Sequence, residues 1–217
     1  PRWWNTESKL DAEDISLHIF CDAALTGFSA IAYWRVVGRN GEVFCTIVTS
    51  RVHVVPLNSS KASHHNSIPR LEITAAEKGT QLRQFITSVG TFKEVLFWTD
   101  SKCVLKMIND TSTRFKLFYA NKLSKIAAAS EEEEWMRVDL AQNTADFCSR
   151  GLQAHEEEKW RLFHRGPDFL WKQRSEWPTQ NTLTQAPRVE VMTVSARRRG
   201  EIQPLFYIYN LAKTAST

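Results

Sequence analysis

Three β-prone runs follow one another with almost no chain between them, and that crowding limits the folds open to this sequence. Residues 16–22, 28–37 and 42–55 are rich in Val, Ile, Phe and Thr, side chains that suit a pleated, half-buried surface. Gly27 marks the tight connection between the first two, and the tetrapeptide GRNG at 38–41 supplies a hairpin turn between the second and third. Strands joined this closely pair with their neighbours as an antiparallel meander.

After the polar stretch 56–67 the pattern changes. Residues 70–89 place Leu71, Ala75, Leu82, Phe85 and Ile86 at helical spacing, with Gly90 as the stop signal. Residues 94–100 read as a strand, 101–109 and 115–129 as helices, and 135–140 as a short strand after the acidic run 131–134. A last helix begins near Asn143 and carries Asp146 in its first turn. The order β-β-β-α-β-α-α-β-α contains two strand–helix–strand passages, which call for parallel pairing. The expected fold is α/β: a mixed five-stranded sheet, antiparallel in its first three strands and parallel in the rest, with helices packed on it. Residues 1–14 read as a lead-in, 15–152 as the main domain, 153–178 as an amphipathic, Trp-containing extension, and 179–217 as a weakly ordered linker or tail.

Bulk properties exclude several classes. The formal charge of +4 looks basic, but residues 188–217 hold five Lys/Arg against two Asp/Glu, leaving +1 for residues 1–187. Charge alone is therefore no argument for a polyanionic partner. Arg197, Arg198 and Arg199 read as part of a solvated linker. Cys21, Cys45, Cys103 and Cys148 form no CxxC pair, which favours structural thiols in a reducing compartment. His64 and His65 are adjacent, a poor spacing for joint ligation. No run approaches the ~20 apolar residues needed to span a bilayer. Nor does the opening PRWWNTESK resemble a secretory signal. The expectation is an intracellular protein, in a cytoplasmic particle or the nucleus, without membrane attachment. A first residue of proline fits a piece of a longer precursor.

Against this ordinary background four acids stand out. Asp22 ends LHIFCD, Glu72 opens the helical stretch in IPRLEITAAE, Asp100 ends VLFWTD, and Asp146 sits in NTADFCSRG. Each has a bland explanation alone. Asp22 suits a turn, Asp100 a helix cap, Asp146 a helix dipole, and Glu72 is one glutamate near a helix start. Together they are harder to dismiss. Asp22 and Asp100 end strands that the element order sets side by side, and two helices bring Glu72 and Asp146 to the same rim. Clustered carboxylates repel one another unless cations neutralise them, and hard divalent ions held by oxygen ligands are the natural answer. The pattern reads as a two-metal phosphodiester-cleaving site. Thr26, Ser101, Ser149 and Arg150 lie close by in sequence, suited to contact phosphate or sugar oxygens.

The segments FCDAALTGFSAIAYW, IPRLEITAAE, FWTDSKCVLKMIND with TRFKLFYANKLSKI, and NTADFCSRG resemble the ribonuclease H region of Pao/BEL-type long-terminal-repeat retrotransposon polyproteins. The resemblance runs from about residue 15 to about residue 178, and PRWW is similar to the tether leading in from reverse transcriptase. It implies a ribonuclease H-like fold and cleavage of the RNA strand of RNA–DNA hybrids. The implied site is Asp22, Glu72, Asp100 and Asp146, holding two Mg²⁺ ions for which Mn²⁺ substitutes. Adjacent reverse transcriptase and integrase modules are the implied partners. Arg114, Lys116, Lys122 and Lys125 are candidates to grip the hybrid backbone. Two departures stand out: Thr144 replaces the proline that family members usually have after the asparagine, and the histidine that many retroviral relatives carry shortly before the last aspartate is absent between Asp100 and Asp146. The competing readings are a catalytically silent nucleic-acid-binding module of the same fold and a transposase- or integrase-like enzyme. The PRLE and SRG contexts do not fit the latter.

Overall fold

The computed structural model describes residues 12–55, 67–110 and 112–179. The expectations for most of the lead-in and tail, for His64 and His65, and for the arginine run at 197–199 fall outside the described residues. Three twelve-residue strands come first: β1 (Ala12–Ala23), β2 (Gly27–Gly38) and β3 (Val43–Val54). Then follow α1 (Ile68–Thr87), β4 (Glu94–Thr99), α2 (Lys102–Asn109), α3 (Leu117–Ala127), β5 (Trp135–Arg137), α4 (Ala145–Arg150) and α5 (Glu157–Arg165).

The sheet order is β3-β2-β1-β4-β5. β1 and β2 pair antiparallel, as do β2 and β3, while β1–β4 and β4–β5 are parallel. The expected mixed sheet is the observed one. β5 is shorter than the expected 135–140: the chain leaves the ladder after Arg137 and turns through a 3₁₀ segment at Leu140–Gln142. One residual bond, from the Val138 amide to the Thr99 carbonyl at 3.1 Å, marks where pairing stops.

Period-2 alternation splits the strands between two cores. On one face Leu17, Ile19, Cys21 and Phe97 meet Ile73, Ala76 and Leu82 of α1, with α2 and α3 beyond. α1 lies close on β1 at Gly79, where an added Cβ would sit 2.5 Å from Cys21 Sγ. That approach explains a glycine in mid-helix, where it otherwise costs about 1 kcal/mol of propensity.

The opposite face collects Phe20, Ile31, Tyr33 and Trp98 under Phe169, Leu170 and Trp177. Residues 153–178 thus supply the cover of this core. Polar bonds pin the cover in place. The Tyr33 hydroxyl donates to the Phe163 carbonyl at 2.8 Å, and Arg35 Nε donates to the Leu170 carbonyl at 2.6 Å. His18 lies fully buried between strands and cover. Trp98 Nε1–H donates to its Nδ1 at 3.2 Å, so Nε2 carries the hydrogen shared with Ser16 Oγ at 3.0 Å. Burial, with Arg35 and Arg174 nearby, pushes its proton affinity down to about 3. An unfolded chain takes up that proton near the ordinary value of 6.5, so His18 lowers stability as pH falls through that window.

Thr144 is the residue just before α4, at its N-cap. Thr144 has φ −64° and ψ −16°, and Asn143 before it is extended. These are angles that proline and its predecessor adopt without strain. Thr144→Pro is therefore expected to stabilise the fold by about 0.5–1 kcal/mol, chiefly by restricting the unfolded chain. Chemical denaturation of the two proteins checks it, and a lower midpoint for the variant would contradict it. α4 and α5 end at Gly151 and Gly166, both at positive φ. Among the described residues no helix is long and apolar enough to cross a membrane.

Candidate active site

Parallel neighbours present their C-terminal ends at the same sheet edge, and here both ends are acidic. Asp22 is the penultimate residue of β1, and Asp100 directly follows β4. The register pairs Phe20 with Trp98, so two residues further along each strand lie Asp22 and Asp100. Glu72 comes from the second turn of α1. Asp146 is the second residue of α4, a helix held to β2 by the Ser29 hydroxyl, which donates to the Ala145 carbonyl at 2.7 Å.

Each carboxylate has its own partner. Ser149 Oγ donates to Asp22 Oδ2, and Ser101 Oγ donates to Glu72 Oε2 at 2.8 Å. Asn143 Nδ2 donates to Asp100 Oδ1 at 2.8 Å, and Arg150 Nε pairs with Asp146 Oδ1. Ser149 and Ser101, expected near nucleic acid, are thus engaged in holding acids. Thr26 is exposed at the β1–β2 turn and donates to the Ser149 carbonyl at 3.3 Å. With the side chains so placed, no three His, Cys, Asp or Glu residues among the described ones form a group that would hold a metal ion.

The acids nonetheless act on one another's protonation. Burial pushes the Asp22 carboxyl up to about 6; the Ser149 bond opposes this, while Asp100 and Asp146 add to it. Burial also raises Glu72, with Asp100 and Asp22 contributing and the Ser101 bond opposing. Asp100 is raised by burial and by Asp146, against the Asn143 bond. Three half-buried to buried carboxyls whose charges press on one another offer an all-oxygen donor set, which suits a hard divalent cation. Ion binding competes with protons for such ligands. Mg²⁺ is therefore expected to raise the melting temperature more at about pH 8 than at about pH 5, where Asp22, pushed up to about 6, still holds its proton. An equal rise at both would count against a common site.

The four lysine and arginine candidates lie around α3. Arg114 and Lys116 are exposed just before it. Lys122 and Lys125 both pair with Glu77, a glutamate of α1 only 2% exposed. Burial works to raise Glu77, but the two lysine bonds outweigh it and hold the carboxyl below its ordinary range. Their described contacts therefore clamp α3 onto α1. Sequence reasoning missed Glu77 and Asn143. Glu77 lies on the buried stripe of α1, a readable signal, but its partners are 45 and more residues away.

A family model described as "Pao retrotransposon-like RNaseH-like domain" matches residues 1–101. That span holds Asp22, Glu72 and Asp100 and bears out the resemblance drawn from the sequence. Among solved structures the chain is similar to ribonuclease H1 from Halobacterium salinarum, at 14% identity and a TM-score of 0.39, over 62% of this chain and 92% of that one. It is also similar to the N-terminal ribonuclease H domain of a Mycobacterium tuberculosis protein, at 13% identity and TM-score 0.41, over 63% and 91%. A third is LC11 ribonuclease H1, solved in complex with an RNA/DNA hybrid, at 12% identity and TM-score 0.40, over 62% and 92%. No curated protein matches the chain.

Proposed function

We propose that this chain, a Pao retrotransposon-like region with a ribonuclease H-like fold, is a metal-dependent endonuclease cleaving the RNA strand of RNA–DNA hybrids. The observation that supports the reading is that Asp22 and Asp100 end neighbouring parallel strands, where Asp100 and Asp146 press on Asp22, Asp22 and Asp100 press on Glu72, and Asp146 presses on Asp100. Asp22, Glu72, Asp100 and Asp146 would hold two Mg²⁺ ions, or Mn²⁺ in their place. Divalent ions bound there supply an activated water and neutralise charge developing on the leaving oxygen.

The chain's own contribution is to bind and orient. Ser149, Ser101 and Asn143 fix Asp22, Glu72 and Asp100, three of the carboxylates that would hold the cations. Arg150, exposed at the end of α4, meets the incoming phosphate from the Asp146 side. Thr26, Arg114 and Lys116 contact the hybrid's backbone, while Lys122 and Lys125 steady α3 through Glu77. The domain works inside the cell, in a cytoplasmic particle or the nucleus, beside the reverse transcriptase and integrase modules of a polyprotein.

The test is an end-labelled hybrid incubated with Mg²⁺ and the wild type or Asp100→Asn. The reading expects cleavage of the RNA strand by the wild type alone, and no cutting of a DNA duplex. Background activity from both proteins, with hybrid binding retained, would favour a silent binding module.

A further inference from the structure

One buried amide touches three of the four acid-bearing segments. Asn143 is 1% exposed and sits between β5 and α4. Its Nδ2 donates to two acceptors: Asp100 Oδ1 at 2.8 Å, and the carbonyl of Cys21 at 3.1 Å, the peptide leading into Asp22. Its Oδ1 accepts the Ala145 amide at 3.3 Å, and its backbone carbonyl accepts the Asp146 amide at 3.0 Å. Both hydrogens of the amide nitrogen therefore have acceptors, and the side-chain oxygen caps the turn that carries Asp146.

We propose that Asn143 is the positioning residue of the site: it fixes the placement of Asp22, Asp100 and Asp146 relative to one another and so sets how tightly divalent ions are held. The inference rests on the two-ion reading above. The choice of an amide follows from charge. A lysine or arginine in this place would give Asp100 a donor but also a competing cation. An aspartate would add a fifth negative charge and lose both donated bonds. Asparagine orients the carboxylate while leaving its full charge for the ions. It touches neither ion nor substrate and acts through the groups it holds. Outer partners of this kind typically change metal affinity by about 10–100-fold when removed.

The experiment titrates Mn²⁺ into wild type and Asn143→Ala in the absence of nucleic acid, following the free-ion paramagnetic resonance signal. Hybrid cleavage is then measured across Mg²⁺ concentrations, and circular dichroism verifies the fold. Asn143→Ala is expected to bind Mn²⁺ about 10–100-fold more weakly. Its kcat should fall at low Mg²⁺ with the KM for hybrid unchanged, and high Mg²⁺ should recover much of the rate. A merely structural loss would not be rescued by the ion. Should the alanine variant fail to fold, Asn143→Ser carries the same test, since its hydroxyl can still cap α4 but cannot span both acceptors. Wild-type Mn²⁺ affinity in a folded variant, or a defect confined to KM, overturns the proposal while leaving the two-ion reading intact. A wild type that binds no Mn²⁺ overturns both.

Discussion

Asp22→Asn is expected to lose hybrid cleavage by on the order of 10³-fold or more and, with metal removed by chelation, to be more stable than the wild type at about pH 8. The two halves have one cause. Asp22 is 8% exposed, and its carboxyl is pushed up to about 6 by burial and by Asp100 and Asp146. Its folded value lies above the unfolded 3.8, so protonation favours the fold. That contribution is fully present below about pH 4 and is lost as pH rises through about 6. Near pH 8 the wild type bears the cost of a buried, crowded charge, and asparagine does not. A gain of about 1–3 kcal/mol follows, because the amide oxygen still accepts the Ser149 hydroxyl. The gap between variant and wild type should close toward about pH 4. Comparing the two proteins cancels the opposite slope that His18 imposes on both. Denaturation curves at several pH values provide the check, and a variant less stable at every pH would contradict the crowding.

Ending the chain after residue 152 is expected to unfold it, or to leave a compact state without fixed packing. Phe169, Leu170 and Trp177 are at most 6% exposed and seal the core of Phe20, Ile31, Tyr33 and Trp98. At about 1.5–3 kcal/mol for each large apolar side chain, losing these three alone removes roughly 5–9 kcal/mol. That is comparable with the ~5–15 kcal/mol stability of an ordinary domain. Arg35, Tyr33 and His18 would also lose partners in the cover. Near-ultraviolet circular dichroism and dye binding distinguish the outcomes. A truncated chain melting cooperatively within a few degrees of the full one would contradict the role given to this segment.

The contrast between these two regions shows what sequence carries and what it does not. The sheet was legible because its signals are local. Gly27 and GRNG dictate tight turns, and period-2 alternation keeps Leu17, Ile19 and Cys21 on one face with Phe20 on the other. The acids were legible as strand-end and helix-start residues for the same reason. Their partners were not. In sequence Ser149 reads as a contact for phosphate or sugar oxygens and Asn143 as a helix start, and only the fold brings them 127 and 43 residues across the sequence to Asp22 and Asp100. Lys122 and Lys125 read as grips for the hybrid backbone because nothing local reveals Glu77 opposite them. The aromatic pattern of 153–178 announces an amphipathic segment without saying which surface it covers. The open side of the sheet, where Trp98 and Tyr33 need a lid, supplies that answer. β5 fell short because Val138, though β-prone, sits where the chain turns away to place α4.

Anomalous diffraction from crystals soaked in Mn²⁺ tests the central claim most directly. The account expects manganese peaks among the carboxylates of Asp22, Glu72, Asp100 and Asp146, with Asp146 released from Arg150 to meet the ion. Peaks elsewhere, or none while the four acids keep only their Ser149, Ser101, Asn143 and Arg150 partners, would contradict it.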